Sequence, residues 1–90
     1  MLRPGFTGAF KRDRERAEKR GKALGKLDAV VRHLVAEEPL DPRHRDHRLV
    51  GEWRDHRECH VEPDWLLIYR VEGEEITFVR TGTHADLFGE

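Results

Sequence analysis

One cysteine, Cys59, occurs in the whole chain, so no internal disulfide can form, whereas a secreted domain of this size would ordinarily need several. No apolar run approaches the roughly 20 residues needed to cross a bilayer. The opening Met1-Leu2-Arg3-Pro4-Gly5 also lacks the apolar centre of a signal peptide. These absences point to the cytoplasm and away from a membrane. The chain has no internal repeat, no low-complexity segment and almost no net charge, formally −1. Such a balance would not by itself suggest a nucleic-acid binder. With 90 residues there is room for a single domain over 1–90 and one core, which excludes a second catalytic domain.

Charged residues make up 39% of the chain, a composition compatible with disorder, but the apolar residues are periodic rather than scattered. The charge is also unevenly placed. Lysine and arginine dominate from Lys11 to Lys26 and acids from Glu58 to Glu90, so a basic face can meet a polyanion while the whole stays near neutral; an ordinary solvated helix face explains the same residues. Met1–Gly5 fits a short edge strand. Phe6 to Arg20 fits a helix capped by Thr7 with Phe6, Phe10 and Ala17 on one stripe, closed by Gly21. Leu24, Leu27, Val30, Val31, Leu34 and Val35 mark a second helix that stops before Glu38-Pro39, and the two should pack as a hairpin.

Leu40 to Arg48 reads as a loop punctuated by Pro39 and Pro42. After Gly51 the period becomes two, with Trp53, Asp55, Arg57, Cys59 and Val61 on one face and Arg54, His56, Glu58, His60 and Glu62 on the other, the pattern of a strand with two polar faces. Trp65 to Val71 is a near-continuous apolar run and should be the central strand. Ile76 to Arg80 is its hairpin partner across Glu72-Gly73-Glu74, and Thr81-Gly82-Thr83 ends it before a short tail, His84 to Glu90. The expected class is α+β, a helical hairpin on a small, mainly antiparallel sheet.

Four of the six histidines fall between Arg43 and Val61, the stretch runs on into Glu62-Pro63-Asp64-Trp65, and Arg80-Thr81-Gly82-Thr83-His84 closes the last strand. These groups suit metal-free RNA cleavage. That reaction needs a base for the ribose 2′-OH, an acid for the departing 5′-oxygen and positive charge on the phosphate between them. Histidine can serve in both proton roles. His60 and Asp64 bracket the Glu-Pro turn, His84 follows a strand that should return beside them, His47 lies on the loop leading in, and Arg80 is a permanently charged clamp for phosphate oxygens. Each has a plainer reading. His47 suits a polar loop, Asp64 a turn, and Arg80 an ion pair with Glu62 or Asp64. Trp65 suits the core as well as it suits a stacked base. Trp53, Tyr69 and Cys59 read as packing residues.

Asp46-His47, Leu49, Gly51, Trp53, the run from Arg57 to Tyr69, and Arg80-Thr81-Gly82-Thr83-His84-Ala85 with Leu87-Phe88 together resemble the YafQ branch of the RelE/ParE toxin superfamily. The likeness is specific over the second half of the chain and rests on a basic helical hairpin in the first. It implies a β-α-α-β-β-β order. It further implies the toxin of a type II toxin–antitoxin pair, a ribosome-dependent endoribonuclease that cuts mRNA in the A site of the 70S ribosome. Its partner would be a cognate antitoxin of the DinJ or RelB kind, with promoter DNA reached only through the antitoxin complex. No cofactor is called for. The functional set carried over is His47, His60, Asp64, Arg80 and His84, with Trp65 and Phe88 near the nucleotide. Arg48 stands where relatives commonly have proline and can add a phosphate contact. His44 and His56 are left out of the site, His56 standing where relatives often carry an aromatic residue.

Three rivals remain, the first a metal-binding or regulatory module. His44-x-x-His47 and His56-x-x-x-His60-x-x-x-Asp64 contain zinc-type ligands, but residues four apart on a strand are about 13 Å apart and would need a bend between them. The gyrase-poisoning branch of the same superfamily would share the fold without needing paired acid/base groups, and a noncatalytic RNA-binding fold would bind the ribosome without a cleavage that depends on His84.

Overall fold

The computed structural model describes residues 1–89; Glu90, the last residue of the expected tail and of the expected 1–90 domain, lies outside the described residues. Strand β1 (Arg3–Phe6) runs into helix α1 (Gly8–Lys19) through Thr7, whose hydroxyl oxygen accepts the Phe10 N–H at 2.9 Å. The cap therefore lies where the sequence places it. Phe6 does not join the helical stripe as expected. It ends β1, 42% exposed, with its ring 5.5 Å from Phe10 and 5.4 Å from Phe78. Gly21 turns the chain with φ +79° into helix α2 (Leu24–Val35).

Beyond α2, a 3₁₀ turn at Pro42–His44 and a two-residue strand β2 (His47–Arg48) occupy what the sequence suggests is all loop. The alternating pattern beginning at Trp53 does not form strand until β3 (Arg57–Glu62). Gly51, at φ +71°, starts a 3₁₀ turn through Trp53, and Leu49 N–H donates to the His56 carbonyl at 3.0 Å. Residues 49–56 are thus the loop of a β2–β3 hairpin, and the period-two polar residues at its start alternate without a ladder. Strands β4 (Trp65–Glu72) and β5 (Glu75–Gly82) follow, and the tail winds into a short helix α3 (His84–Phe88). Thr83 and Asp86 form a reciprocal capping box at its start.

The sheet order is β1-β5-β4-β3-β2. Among the described residues only β1–β5 is parallel, so the α+β, mainly antiparallel expectation is met, and β4 is central as its apolar run requires. Phe10 and Ala17 of α1 and Leu27 and Val30 of α2 share a core with Cys59, Val61, Trp65, Leu67, Tyr69, Ile76 and Phe78. Each large side chain buried there contributes about 1.5–3 kcal/mol. Leu66 and Ile68, on the other side of β4, are equally inaccessible. That second face is where the histidines gather. Among the described residues no helix is long and apolar enough to cross a membrane.

Candidate active site

β2 and β3 pair with His47 directly opposite Glu58, and His60 lies two residues along the same face of β3. Between His60 and Glu62 the β3–β4 register slips by one, because Val61 has no partner on β4. The bulge leads into the tight Pro63-Asp64 turn. His60 Nδ1 meets the Pro63 carbonyl at 3.1 Å and His47 Nδ1 the Arg45 carbonyl at 2.6 Å. A carbonyl only accepts, so both rings carry their proton on Nδ1 and present Nε2. His47 Nε2 is 3.2 Å and His60 Nε2 3.9 Å from Glu58 Oε2. Both are ion-pair distances when a ring is protonated, and neither contact is a hydrogen bond.

His84 is the first residue of α3. Its ring Nδ1 lies 2.6 Å from Asp64 Oδ1, and its backbone N–H donates to the same oxygen at 2.9 Å. These bonds, the backbone one first, hold the Asp64 carboxyl below the usual carboxylate range. Asp64 therefore stands behind His84 as its orienting group. The result is a row of imidazoles, His47–His60 at 6.3 Å and His60–His84 at 6.0 Å between ring centroids. Three histidines and Asp64 from the sequence-based set converge at one end of the sheet.

The other expected site residues are placed differently. Arg80 pairs with neither Glu62 nor Asp64. Its Nε and Nη2 donate to the two carboxylate oxygens of Asp13 on α1 at 2.6 and 3.1 Å, while Glu62 is held by Lys22 and Lys26. Arg80 is first a clamp between α1 and β5, with Nη1 left over. Trp65 cannot stack on a nucleotide. It is 1% exposed, its Nε1–H donates to Thr81 Oγ1 at 3.0 Å, and Lys22 Nζ lies over its ring. Burial removes it from the substrate-binding set. Phe88 is half-buried, edge-on to Trp53 at 6.5 Å, which keeps Trp53 beside the site rather than in the core. Arg48 faces away from the row of His47, His60 and His84. It faces Arg57 across the β2–β3 ladder and lines a cleft of about 390 Å³ with Arg54, Arg57 and Arg70, whose charge Asp55 and Glu72 partly offset.

Two residues outside the expected set matter. Glu58, side chain 8% exposed, is the carboxylate beneath His47 and His60; its place on the His60 face was legible in the alternation, but its burial was not. Asp13 is 3% exposed and also accepts the Thr81 N–H at 3.1 Å. It shares that basic run with Glu15 and Glu18, and its signal is its place three residues after Phe10 and four before Ala17 on the buried stripe. His44 Nδ1 bonds the His60 carbonyl at 2.7 Å and so braces the bulge, whereas His56 packs edge-on against Trp53. Among the described residues no group of three or more His, Cys, Asp or Glu side chains is placed to hold a metal ion. Burial pushes the Cys59 thiol far above its ordinary range, which leaves it inert as a nucleophile.

Residues 2–89 match the family described as bacterial toxin of type II toxin-antitoxin system, YafQ. The chain is 42% identical over 85 residues to the mRNA interferase toxin YafQ of Escherichia coli K12, a match spanning 93% of this chain and 92% of that one. Among solved structures, the E. coli DinJ-YafQ complex matches with a TM-score of 0.92 at 40% identity over 99% of this chain and 100% of that one. A copper-bound mutant toxin from Helicobacter pylori matches with a TM-score of 0.92 at 38% identity, over 98% and 100%.

Proposed function

This chain belongs to the YafQ family of bacterial type II toxins, and from that membership we propose that it is an mRNA interferase, a ribosome-dependent endoribonuclease working by acid/base catalysis. The observation that carries the reading is the row of three imidazoles, each with Nδ1 tied to an acceptor. Fixed tautomers put three Nε2 atoms at one end of the sheet as the groups available for proton transfer.

His60 is the best-placed base, since Nδ1 holds a proton on the Pro63 carbonyl and Nε2 is beyond hydrogen-bonding distance of Glu58. It takes the 2′-OH proton, and the 2′-oxygen attacks phosphorus as the bond to the 5′-oxygen breaks. His84 supplies the proton to that leaving oxygen from Nε2, because Asp64 on its Nδ1 fixes the ring with Nε2 free for the substrate. The products are a 2′,3′-cyclic phosphate and a 5′-hydroxyl. Nη1 of Arg80 offsets the negative charge gathering on the phosphate, and His47 stands beside His60 as a further group for proton transfer. Phe88 walls the nucleotide, and the arginine cleft around Arg48 holds RNA backbone away from the reacting bond.

The site is open and small, so the ribosomal A site supplies much of the substrate positioning. A cognate antitoxin of the DinJ or RelB kind covers the site, and promoter DNA is met through that complex. Such a toxin acts in the cytoplasm.

Primer extension on a reporter mRNA in a purified translation system tests this, comparing wild type with His84→Ala, with and without ribosomes, and with EDTA added to preformed complexes. Codon-phased cuts that need the ribosome and His84 and persist in EDTA are expected. Intact mRNA with the wild-type protein would remove the catalytic reading.

A further inference from the structure

We infer that Arg20 is a positioning residue of the acid/base site: through Asp86 it holds helix α3, and with it His84, in place. The inference rests on the ribonuclease reading above. Helix α3 has five residues and buries none of them, and a segment so short is not a stable helix by itself. Its place is therefore set by what grips it. Asp64 meets it at the His84 N–H, and Trp53 at the Phe88 ring. Arg20 grips it at Asp86, in the middle of its length.

That grip is a fork. Arg20 Nη1 donates to Asp86 Oδ2 at 2.7 Å and Nη2 to Oδ1 at 3.1 Å, while Arg16 Nη1 lies 3.6 Å from the same Oδ1. Two charge-assisted bonds side by side fix orientation as well as distance. Both ends of the fork are anchored. Arg20 closes α1 with its backbone N–H on the Arg16 carbonyl at 3.0 Å, and the Asp86 side chain is only 13% exposed, its Oδ2 also accepting the Thr83 N–H at 3.0 Å. The end of β5 is shaped to seat this carboxylate, because a side-chain carbon on Gly82 would stand 3.0 Å from both Cβ and Oδ2 of Asp86. Asp13, Arg16 and Arg20 follow at three- and four-residue steps along one face of α1. Asp13 holds Arg80 and Arg20 holds Asp86, so a single helix sets where the phosphate clamp and the His84 imidazole stand relative to each other. Asp86 would cap α3 without any arginine. The fork adds a tie from outside the turn, and a reacting group displaced by about 1 Å is enough to lose much of a rate.

The test measures single-turnover cleavage on programmed ribosomes, and ribosome binding separately, for wild type, Arg20→Gln, Asp86→Asn and the double variant. Asparagine keeps an oxygen for the Thr83 N–H and loses the charge. Each single variant should cleave roughly 10- to 100-fold more slowly with ribosome binding unchanged. The double variant should be no slower than the worse single, because both changes remove one tie. The His84 ring ¹⁵N signals should move in both singles, and the Leu87 amide, bonded to the Thr83 carbonyl, should exchange faster with solvent. Arg20→Lys, which can keep one bond of the fork, should recover part of the rate, and it carries the test should Arg20→Gln not fold. Lost ribosome binding in Arg20→Gln beside undiminished cleavage in Asp86→Asn would make Arg20 a contact to nucleic acid and overturn the inference. Losses that multiply in the double variant would overturn it too. Failure of the wild type to cleave would instead overturn the ribonuclease reading, and exchange at Leu87 would still report whether Arg20 holds α3.

Discussion

Asp64 and His84 meet twice on a single atom: Oδ1 of the carboxylate accepts the ring Nδ1–H at 2.6 Å and the backbone N–H at 2.9 Å. One contact sets the tautomer and orientation of the imidazole, and the other fixes the first turn of α3 against the β3–β4 turn.

Asp64→Asn retains an oxygen at that place and loses the charge. Cleavage by a ribosome-bound toxin should drop roughly 10²-fold, while the thermal midpoint changes little because the pair is exposed. The comparison to make is single-turnover rate against melting temperature, and an unaltered rate would separate Asp64 from the chemistry.

Asp13→Ala should fail differently. The carboxylate is buried and serves Arg80 and the Thr81 N–H together, so its removal strands a half-buried guanidinium. The expected loss is about 3 kcal/mol, which in a domain of this length lowers the thermal midpoint by roughly 12–24 °C. Calorimetry of the isolated chain decides it, and a fall of only a few degrees would mean that Arg80 finds another partner.

Trp65→Phe and Trp65→Ala distinguish packing from base stacking. With the indole inaccessible and its N–H on Thr81, Trp65→Ala should cost about 3–5 kcal/mol. Any lost activity should return in Trp65→Phe in proportion to recovered stability. A stable Trp65→Phe protein that no longer cleaves would restore a direct role for the ring.

Asp86 links pH to stability. Arg20 foremost, then the Thr83 N–H and hydroxyl, hold its carboxyl well below the usual range against the opposing effect of burial. A depressed native pKa means that the stabilisation is complete above the ordinary carboxylate range and disappears as pH falls through the native value. The difference in melting temperature between wild type and Asp86→Asn should therefore be flat from neutral pH to the ordinary range and shrink only in stronger acid. A difference that grows with acidity would contradict this assignment.

Much was legible before the fold. The Thr7 cap, the α2 stripe, the central apolar strand and its hairpin partner are local patterns, and local periodicity is what those elements obey. His47, His60, Asp64 and His84 were legible as chemistry by residue type and by resemblance. For Arg80 the sequence offers a phosphate clamp or an ion pair with Glu62 or Asp64, and its actual partner was not legible because Asp13 lies 67 positions away. Trp65 was ambiguous because a residue heading an apolar strand can face either way, and only helix packing decides its burial.

The order of residues by itself determined helices α1 and α2, strands β4 and β5, the α+β class, and which side chains can move protons, because these depend on neighbours along the chain, whereas β2, α3 and the loop at 49–56 were set by pairing and packing. Only the tertiary structure decided that His47, His60 and His84 form one row, that Asp64 serves His84, and that Glu58 lies buried beneath two of the histidines. Those relations depend on strand register, a one-residue bulge and the docking of α3. A shift of one residue in the ladder would send each strand side chain to the opposite face while leaving the sequence unchanged.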